Sequence, residues 1–390
     1  MKILITTDWY APTVNGVVAS VTTLCRELRA RGHAVRILTL SRSPRSYEQD
    51  GVTYLGSVPA GLVYPGARLR TAPAERLIRN LLDWKPDIVH SQCEFSTFPI
   101  ARRIANALSI PLIHTWHTVY EDYTHYFSPS IKWGRRAVAA FARRIGARAD
   151  CLIAPTEKAA TPLRSYGVRR PIRVIPSGID LHRFETPVAN AELTRLRESL
   201  QIPADHFLLL SLGRLAEEKN LPELLLFLAG LKGQPVTLLL VGDGPYRPQL
   251  EQQVRALQLE DQVRFTGMVP PEQTPAYYQL ADLFVCASTS ETQGLTYAEA
   301  LASGLPVLCR ADPCIAGVIS NGINGWQYRD EHSFCQALAS AMEQPRRLRA
   351  MALEARASSL RFSAQNFAAA VERVYLEYTH PEVFRAERPA

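Results

Sequence analysis

Short aliphatic and β-branched runs alternate with helix-length amphipathic segments, and the alternation occurs twice along the chain. The first series places strands at 2–7, 34–40, 87–90, 111–115, 151–155 and 173–176. It restarts at 207–213, 237–241, 263–266, 283–287 and 306–309. These runs are apolar at successive positions rather than at every second one. That is the pattern of parallel strands buried on both faces. Helices are expected between them, among others at 19–31, 245–257, 275–281 and 297–303. Two consecutive βα series in 390 residues predict two doubly wound α/β domains. The boundary is expected within 177–205, where Gly178, Pro187 and Pro203 flank a polar helical stretch. Apolar residues at helical spacing over 362–378 predict a closing helix that returns to the first domain.

Composition excludes other classes. Hydrophobic residues make up 47% and charged residues 21%, as in a folded globular chain. The longest apolar runs, such as 236–241, are strand-sized, far below the roughly 18 residues of a membrane span. The start MKILITTDWYAP lacks the basic and apolar regions of a signal peptide, so a cytosolic address is expected. Seven scattered cysteines, with no C-x-x-C, are expected as buried thiols rather than a disulfide framework or zinc site. The net charge of +7 is uneven: the first half is basic and the second acidic. An anionic partner of the first half is expected, either nucleic acid or a membrane surface.

In open α/β sheets, ligands bind beyond the carboxyl ends of the strands, so chemistry is sought in the strand-to-helix loops. After the first strand comes Asp8-Trp9-Tyr10-Ala11-Pro12-Thr13-Val14-Asn15-Gly16. Gly16 at a helix start lets backbone N–H groups approach an anion, though a plain turn glycine would look the same. After 207–213, Arg214 and Lys219 stand five residues apart and can converge on one diphosphate; alternatively, Glu217 and Glu218 pair with both. Gly242 and Gly244 permit a tight strand-to-helix turn, for structure or for ligand equally. The fourth loop carries Glu291 and, within the following helix, Glu299, with Gly294 between them. A helix starting near Gly294 directs free N–H groups at a diphosphate, and the two carboxylates can each hold a vicinal diol of a sugar nucleotide. No D-x-D is present for a Mg²⁺–diphosphate, and His114, His117 and His125 lack zinc-helix spacing.

GRLAEEKN, VGDGP, SETQGLTYAEALASGLPVL and NGINGW resemble the C-terminal half of the retaining GT-B glycosyltransferases of family GT4. DWYAPTVNGV and PSGIDLHRF extend the resemblance over nearly the whole chain. SQCEFSTF and HTWHTVYEDYTHYF resemble the bacterial 1,2-diacylglycerol 3-glucosyltransferases. The resemblance implies a GT-B architecture, with two Rossmann-like domains facing a central cleft. Residues 1–185 would be the acceptor- and membrane-facing domain, 186–362 the nucleotide-sugar domain, and 363–390 the returning helix. It implies that Arg214 and Lys219 bind the donor diphosphate, Glu299 the ribose and Glu291 the transferred sugar. Gly294, Leu295 and Thr296 would cap the phosphates, Gly16 would approach them, and Met268 and Val269 would lie near the base. His117 would serve the reacting sugar; read alone, it is a core histidine at a strand end. Ser177 and Trp116 stand where many relatives carry Asn and Tyr.

The function so implied is transfer of a hexose, glucose from UDP-glucose, to a membrane diacylglycerol with retention, giving an α-glycosyl-diacylglycerol. No cofactor or metal and no nucleic acid is expected. Without an evident carboxylate nucleophile on the first domain, the expected route is front-face attack, a donor phosphate oxygen accepting the acceptor's proton. Other donors (UDP-galactose, GDP-mannose), a non-lipid acceptor, a sugar-nucleotide 2-epimerase and a non-catalytic binder stay open as alternatives. Within 131–148, six cations and no acid fall on a helix-length segment. Arg136, Arg143 and Arg144 share one side, while Val138, Phe141 and Ile145 share another. Lys132, Arg135, Arg136, Arg143 and Arg144 are therefore expected to meet the anionic inner face of the cell membrane, or else to be solvated on a packing helix. Arg68, Arg70, Arg76 and Arg79 form a second candidate patch.

Overall fold

The computed structural model describes residues 1–60, 67–71, 74–120 and 131–382, without the side chains of Ile131 and Lys132. His125 and the Lys132 side chain thus lie outside the described residues. The chain divides into two compact units, Met1–Ile179 with Ala364–Ala390, and Asp180–Ser363.

In the first unit, β1 (Lys2–Thr6) is followed by α1 (Gly16–Ala30), β2 (Ala34–Leu40), β3 (Tyr47–Gln49) and β4 (Val52–Leu55). A small ribbon of β5 (Ser57–Pro59) and β6 (Arg68–Arg70) precedes α2 (Glu75–Trp84), β7 (Ile88–Ser91), α3 (Phe98–Leu108) and β8 (Leu112–Thr115). Then come α4 (Ile131–Gly146), β9 (Cys151–Ala154), α5 (Glu157–Ser165) and β10 (Ile172–Val174). Among the described residues the main sheet has the order β10-β9-β8-β7-β1-β2-β4-β3, parallel except for β3 on β4. β1 shows why its sequence is apolar throughout. Ile3 and Ile5 pack towards Val21 and Leu24 of α1, whereas Leu4 packs towards Leu77, Ile78 and Ile104 of α2 and α3. A strand with both faces covered has no polar side to show.

The second unit opens with α6 (Leu181–Glu185) and α7 (Asn190–Ser199), then β11 (Phe207–Leu212), α8 (Leu221–Ala229), β12 (Val236–Val241), α9 (Arg247–Ala256) and β13 (Val263–Gly267). It continues with α10 (Thr274–Leu280), β14 (Leu283–Cys286), α11 (Leu295–Ala302), β15 (Val307–Arg310), β16 (Gly325–Tyr328), α12 (Glu331–Glu343) and α13 (Pro345–Ser359). Its parallel sheet runs β13-β12-β11-β14-β15-β16, the doubly wound Rossmann order, which reverses between β11 and β14.

The last helix, α14 (Ala364–Thr379), belongs to the first unit. Phe367, Val371, Val374 and Tyr375 lie on its buried side, against Ile3, Ile5 and Leu28. No helix of the described residues is long and apolar enough to cross a membrane. The cysteines are free thiols, and all but Cys286 and Cys335 are buried.

Candidate active site

In the second unit, the loops after β11 and β14 leave the sheet at its reversal point, where chains diverge and leave room for a ligand. The first loop carries Arg214 and ends in one turn at Glu217–Lys219; Asn220, at φ 51, then starts α8. Arg214 ion-pairs with Glu218, and Lys219 with Glu291 of the other loop. The Ser290 hydroxyl donates to the Glu218 carbonyl at 3.0 Å, tying the loops further together. Of the local pairings with Glu217 and Glu218 left open on the sequence, the structure shows Arg214–Glu218.

Gly294 precedes α11 at φ +71, and a Cβ there would come within 2.5 Å of the Tyr297 ring. Glycine is needed at this turn for both reasons. The N–H groups of Leu295 and Thr296, in the first turn of α11, have no partner four residues back within the helix. Glu299 lies on α11 one turn further in. The Tyr278 hydroxyl donates to its Oε2 at 2.7 Å. Burial raises the Glu299 carboxyl above its ordinary range, opposed by the Tyr278 hydrogen bond and the nearby Arg183 guanidinium. Tyr278 carries no sequence motif, and Arg183 lies in the PSGIDLHRF segment without a role assigned from the sequence. They sit on α10 and α6, and only packing against α11 brings them to Glu299.

Gly242 and Gly244 are demanded by backbone packing. A Cβ on Gly242 would lie 2.0 Å from the Gly213 carbonyl oxygen, and one on Gly244 would lie 2.2 Å from that of Leu215. The structural reading of VGDGP therefore suffices. Met268 is exposed and Val269 half-buried just beyond β13. Among the described residues, no three His, Cys, Asp or Glu side chains cluster as a metal would require.

In the first unit the sheet reverses at β1, between β2 and β7. Asn15 caps α1, its Oδ1 accepting from the Val18 N–H at 2.9 Å. This cap starts the helix at Gly16, earlier than its apolar pattern alone shows, and the space a Gly16 Cβ would occupy is open. Asp8 joins the loops after β1 and β7: its carboxylate accepts the N–H groups of Ser96 at 2.9 Å and Thr97 at 2.8 Å. The β7 loop also carries Gln92 and Glu94, which sequence reasoning missed. Glu94 Oε1 lies 3.3 Å from His114 Nε2, and its Oε2 accepts from the Tyr120 hydroxyl at 2.8 Å. A buried carboxylate does stand in this unit, then, but both its oxygens are engaged. The signal was the position of SQCEF directly after a strand; its weight comes from β7 pairing with β1, which periodicity does not reveal.

His117, in the loop after β8, places Nε2 2.8 Å from Gln92 Oε1. Burial pushes its imidazole down to about 4, partly opposed by Glu94 and reinforced by His114, so the ring is neutral near pH 7. Trp116 is buried in the core beside Phe141, and Ser177 shares a 2.8 Å hydroxyl hydrogen bond with Ser20 of α1. On α4, Val138 and Ile145 are buried and Phe141 half-buried, while Trp133, Arg135, Arg136, Arg143 and Arg144 are exposed. Arg70, Arg76 and Arg79 are exposed as well. Arg68, in the same patch, is half-buried. Its guanidinium donates to Ser57 Oγ at 2.7 Å and to the carbonyls of Ser41, Arg42 and Ser57.

Two doubly wound Rossmann-like units, one carrying cations and carboxylates at its sheet reversal, make this an α/β protein of the GT-B architecture. The family model Glycosyltransferase Family 4 matches residues 14–183, and that of Glycosyl transferases group 1 matches residues 193–358. The alpha-monoglucosyldiacylglycerol synthase of Streptococcus pneumoniae is 37% identical over 381 residues, 97% of this chain and 86% of that protein. The enzyme of the same name from Acholeplasma laidlawii is 31% identical over 389 residues, 97% of each chain. Among solved structures, Anabaena HepE in complex with UDP and glucose is similar with a TM-score of 0.75 at 20% identity, covering 96% of this chain and 99% of that one. This chain belongs to glycosyltransferase family 4.

Proposed function

We propose that the protein transfers glucose from UDP-glucose to 1,2-diacylglycerol with retention, giving an α-glucosyl-diacylglycerol, and works as a peripheral enzyme on the inner face of the cell membrane. The observation that carries the donor side is the Lys219–Glu291 ion pair joining the loops after β11 and β14 at the sheet reversal, with Arg214 on the first loop and Glu299 on the helix after the second. The lipid acceptor follows from the two lipid glucosyltransferases that the chain matches along nearly its whole length. Phe95 adds support. It is 55% exposed next to buried Glu94 and stacks on Phe141 of α4 at 5.7 Å, an apolar surface beside a basic helix.

In this reading Arg214 and Lys219 grip the diphosphate, and the N–H groups of Leu295 and Thr296 at the start of α11 cap it. Their attraction grows as the leaving phosphate gains charge, so they lower the barrier rather than merely hold the donor. Glu299 takes the ribose hydroxyls and Glu291 those of the sugar. Gly16 gives its backbone room to approach the phosphates, and Met268 and Val269 flank the base. No metal is needed. A phosphate oxygen of the donor accepts the acceptor's proton, and attack comes from the face the diphosphate leaves. Neutral His117 orients the transferred sugar. The test is to supply UDP-glucose with vesicles that contain or lack diacylglycerol, analyse nucleotide and lipid by mass spectrometry, and determine the anomer by proton NMR. An α-glucosyl lipid formed only with diacylglycerol is expected; UDP release without a lipid product, or a β-anomer, overturns the reading.

A further inference from the structure

Glu299 is half-buried on α11, and the second unit holds it by one oxygen. Its Oε2 accepts from the Tyr278 hydroxyl at 2.7 Å. Among the described residues its Oε1 has no hydrogen-bond partner and is open to solvent. The donor cannot swing away. Tyr278 is 0% exposed, with its ring edge-on to Phe184 of α6 at 5.7 Å and tilted on Phe284 of β14 at 5.8 Å. Next along α10, Gln279 donates to the carbonyls of Phe184 at 3.0 Å and Thr186 at 2.8 Å, and accepts from the Val188 N–H at 2.9 Å. Arg183 Nη2 donates to Thr274 Oγ1, at the start of α10, at 3.1 Å. These bonds tie α10 to the α6 segment and fix the ring that Glu299 meets. The last torsion of a glutamate is broad, so a carboxylate without such a partner turns freely. A charge-assisted bond from a ring that is itself locked removes that freedom before any ligand arrives.

We propose that Tyr278 is a positioning residue for donor recognition: it sets the Glu299 carboxylate so that the free oxygen, Oε1, accepts the ribose hydroxyls of the nucleotide. The proposal rests on the reading that Glu299 takes the ribose. A carboxylate oxygen has two lone-pair sites, so Oε1 suffices for both hydroxyls of a vicinal diol. Because the carboxylate is oriented beforehand, binding orders one rotor fewer, and affinity rises without Tyr278 touching the ligand. The gain is confined to ligands that carry ribose hydroxyls. A nucleotide without them has nothing to offer an oriented carboxylate. Mere support of the fold would change affinity for both kinds of nucleotide alike, and that difference separates the two roles.

The test is calorimetric titration of the full chain with UDP and with 2′,3′-dideoxy-UDP. Wild type should prefer UDP by about tenfold or more. Tyr278→Phe keeps the packed ring and removes only the hydroxyl. Its preference for UDP is expected to fall about three- to tenfold below that of wild type, while affinity for 2′,3′-dideoxy-UDP stays within about twofold. Tyr277→Phe, at the neighbouring buried tyrosine of α10, should keep the full preference and so controls for helix packing. An undiminished preference in Tyr278→Phe, or an equal loss of affinity for both nucleotides, overturns the positioning role. Glu299→Ala tests the reading beneath it, and there the preference should vanish. A preference that survives in Glu299→Ala, or that wild type lacks, removes Glu299 from the ribose and the proposal with it.

Discussion

Lys219 and Glu291, 72 positions apart, form an ion pair that joins the loops after β11 and β14. The pair keeps a half-buried ammonium and carboxylate matched until a ligand replaces one partner with its own charge and hydroxyls. Arg214 is held in the same way by Glu218.

Removing either cation should therefore affect turnover more than fold. Lys219→Ala and Arg214→Ala are each expected to lower kcat by about 10²–10³, about 2.7–4 kcal/mol, the usual scale for one donor to a developing anion. Initial rates with UDP-glucose and diacylglycerol check this, with the melting temperature as control. Rates within threefold of wild type for both variants would remove them from the diphosphate site.

In the proposed reading the same cations, with the N-terminus of α11, take the place of a divalent metal on the diphosphate. Full activity is expected in excess EDTA. Loss of turnover on chelation, restored by Mg²⁺ or Mn²⁺, would assign the diphosphate to a metal instead.

His117 also carries a stability consequence. Its folded value of about 4 lies below the ordinary 6.5, so the unfolded chain binds the proton more readily. Stability from keeping this ring neutral is complete above about pH 6.5 and is lost as pH falls towards 4. His90, also buried and shifted down, adds to the same slope. Thermal melts from pH 7 to pH 4.5 should show His117→Gln with a shallower decline than wild type; equal slopes would contradict the shift.

On α4, Arg136, Arg143 and Arg144 are exposed while Val138 and Ile145 anchor the opposite side. Each cation at an anionic bilayer contributes about 1 kcal/mol, enough in threes for reversible, salt-sensitive docking. Reversing all three to Glu should weaken flotation with anionic vesicles and leave UDP-glucose affinity unchanged. The companion test reverses Arg70, Arg76 and Arg79, omitting Arg68, whose guanidinium holds the β5–β6 ribbon to the sheet. Unaltered flotation in both variants would assign the basic half to another partner.

Much of the fold follows from local rules that the sequence carries openly. β1, β2, β7, β8, β9, β11, β12, β14 and β15 are read within a few residues because strands covered on both faces are continuously apolar, as 236–241 shows most plainly. Gly294 announced a special turn because only glycine fits it. β16, with the sequence GWQY, and the ribbon β5–β6 were missed because strands of three or four residues are too short to show a period.

The residue types in the loops, Arg214, Lys219, Glu291 and Glu299 among them, were determined by the sequence alone, since motif and spacing are local properties. Their partners were decided only by the tertiary structure. Lys219 meets Glu291, Glu299 meets Tyr278, Gln92 meets His117 and Tyr375 meets His90 because strand order sets which loops are neighbours. Strand order depends on the packing of distant apolar faces, a free-energy balance over the whole chain that no window of sequence contains.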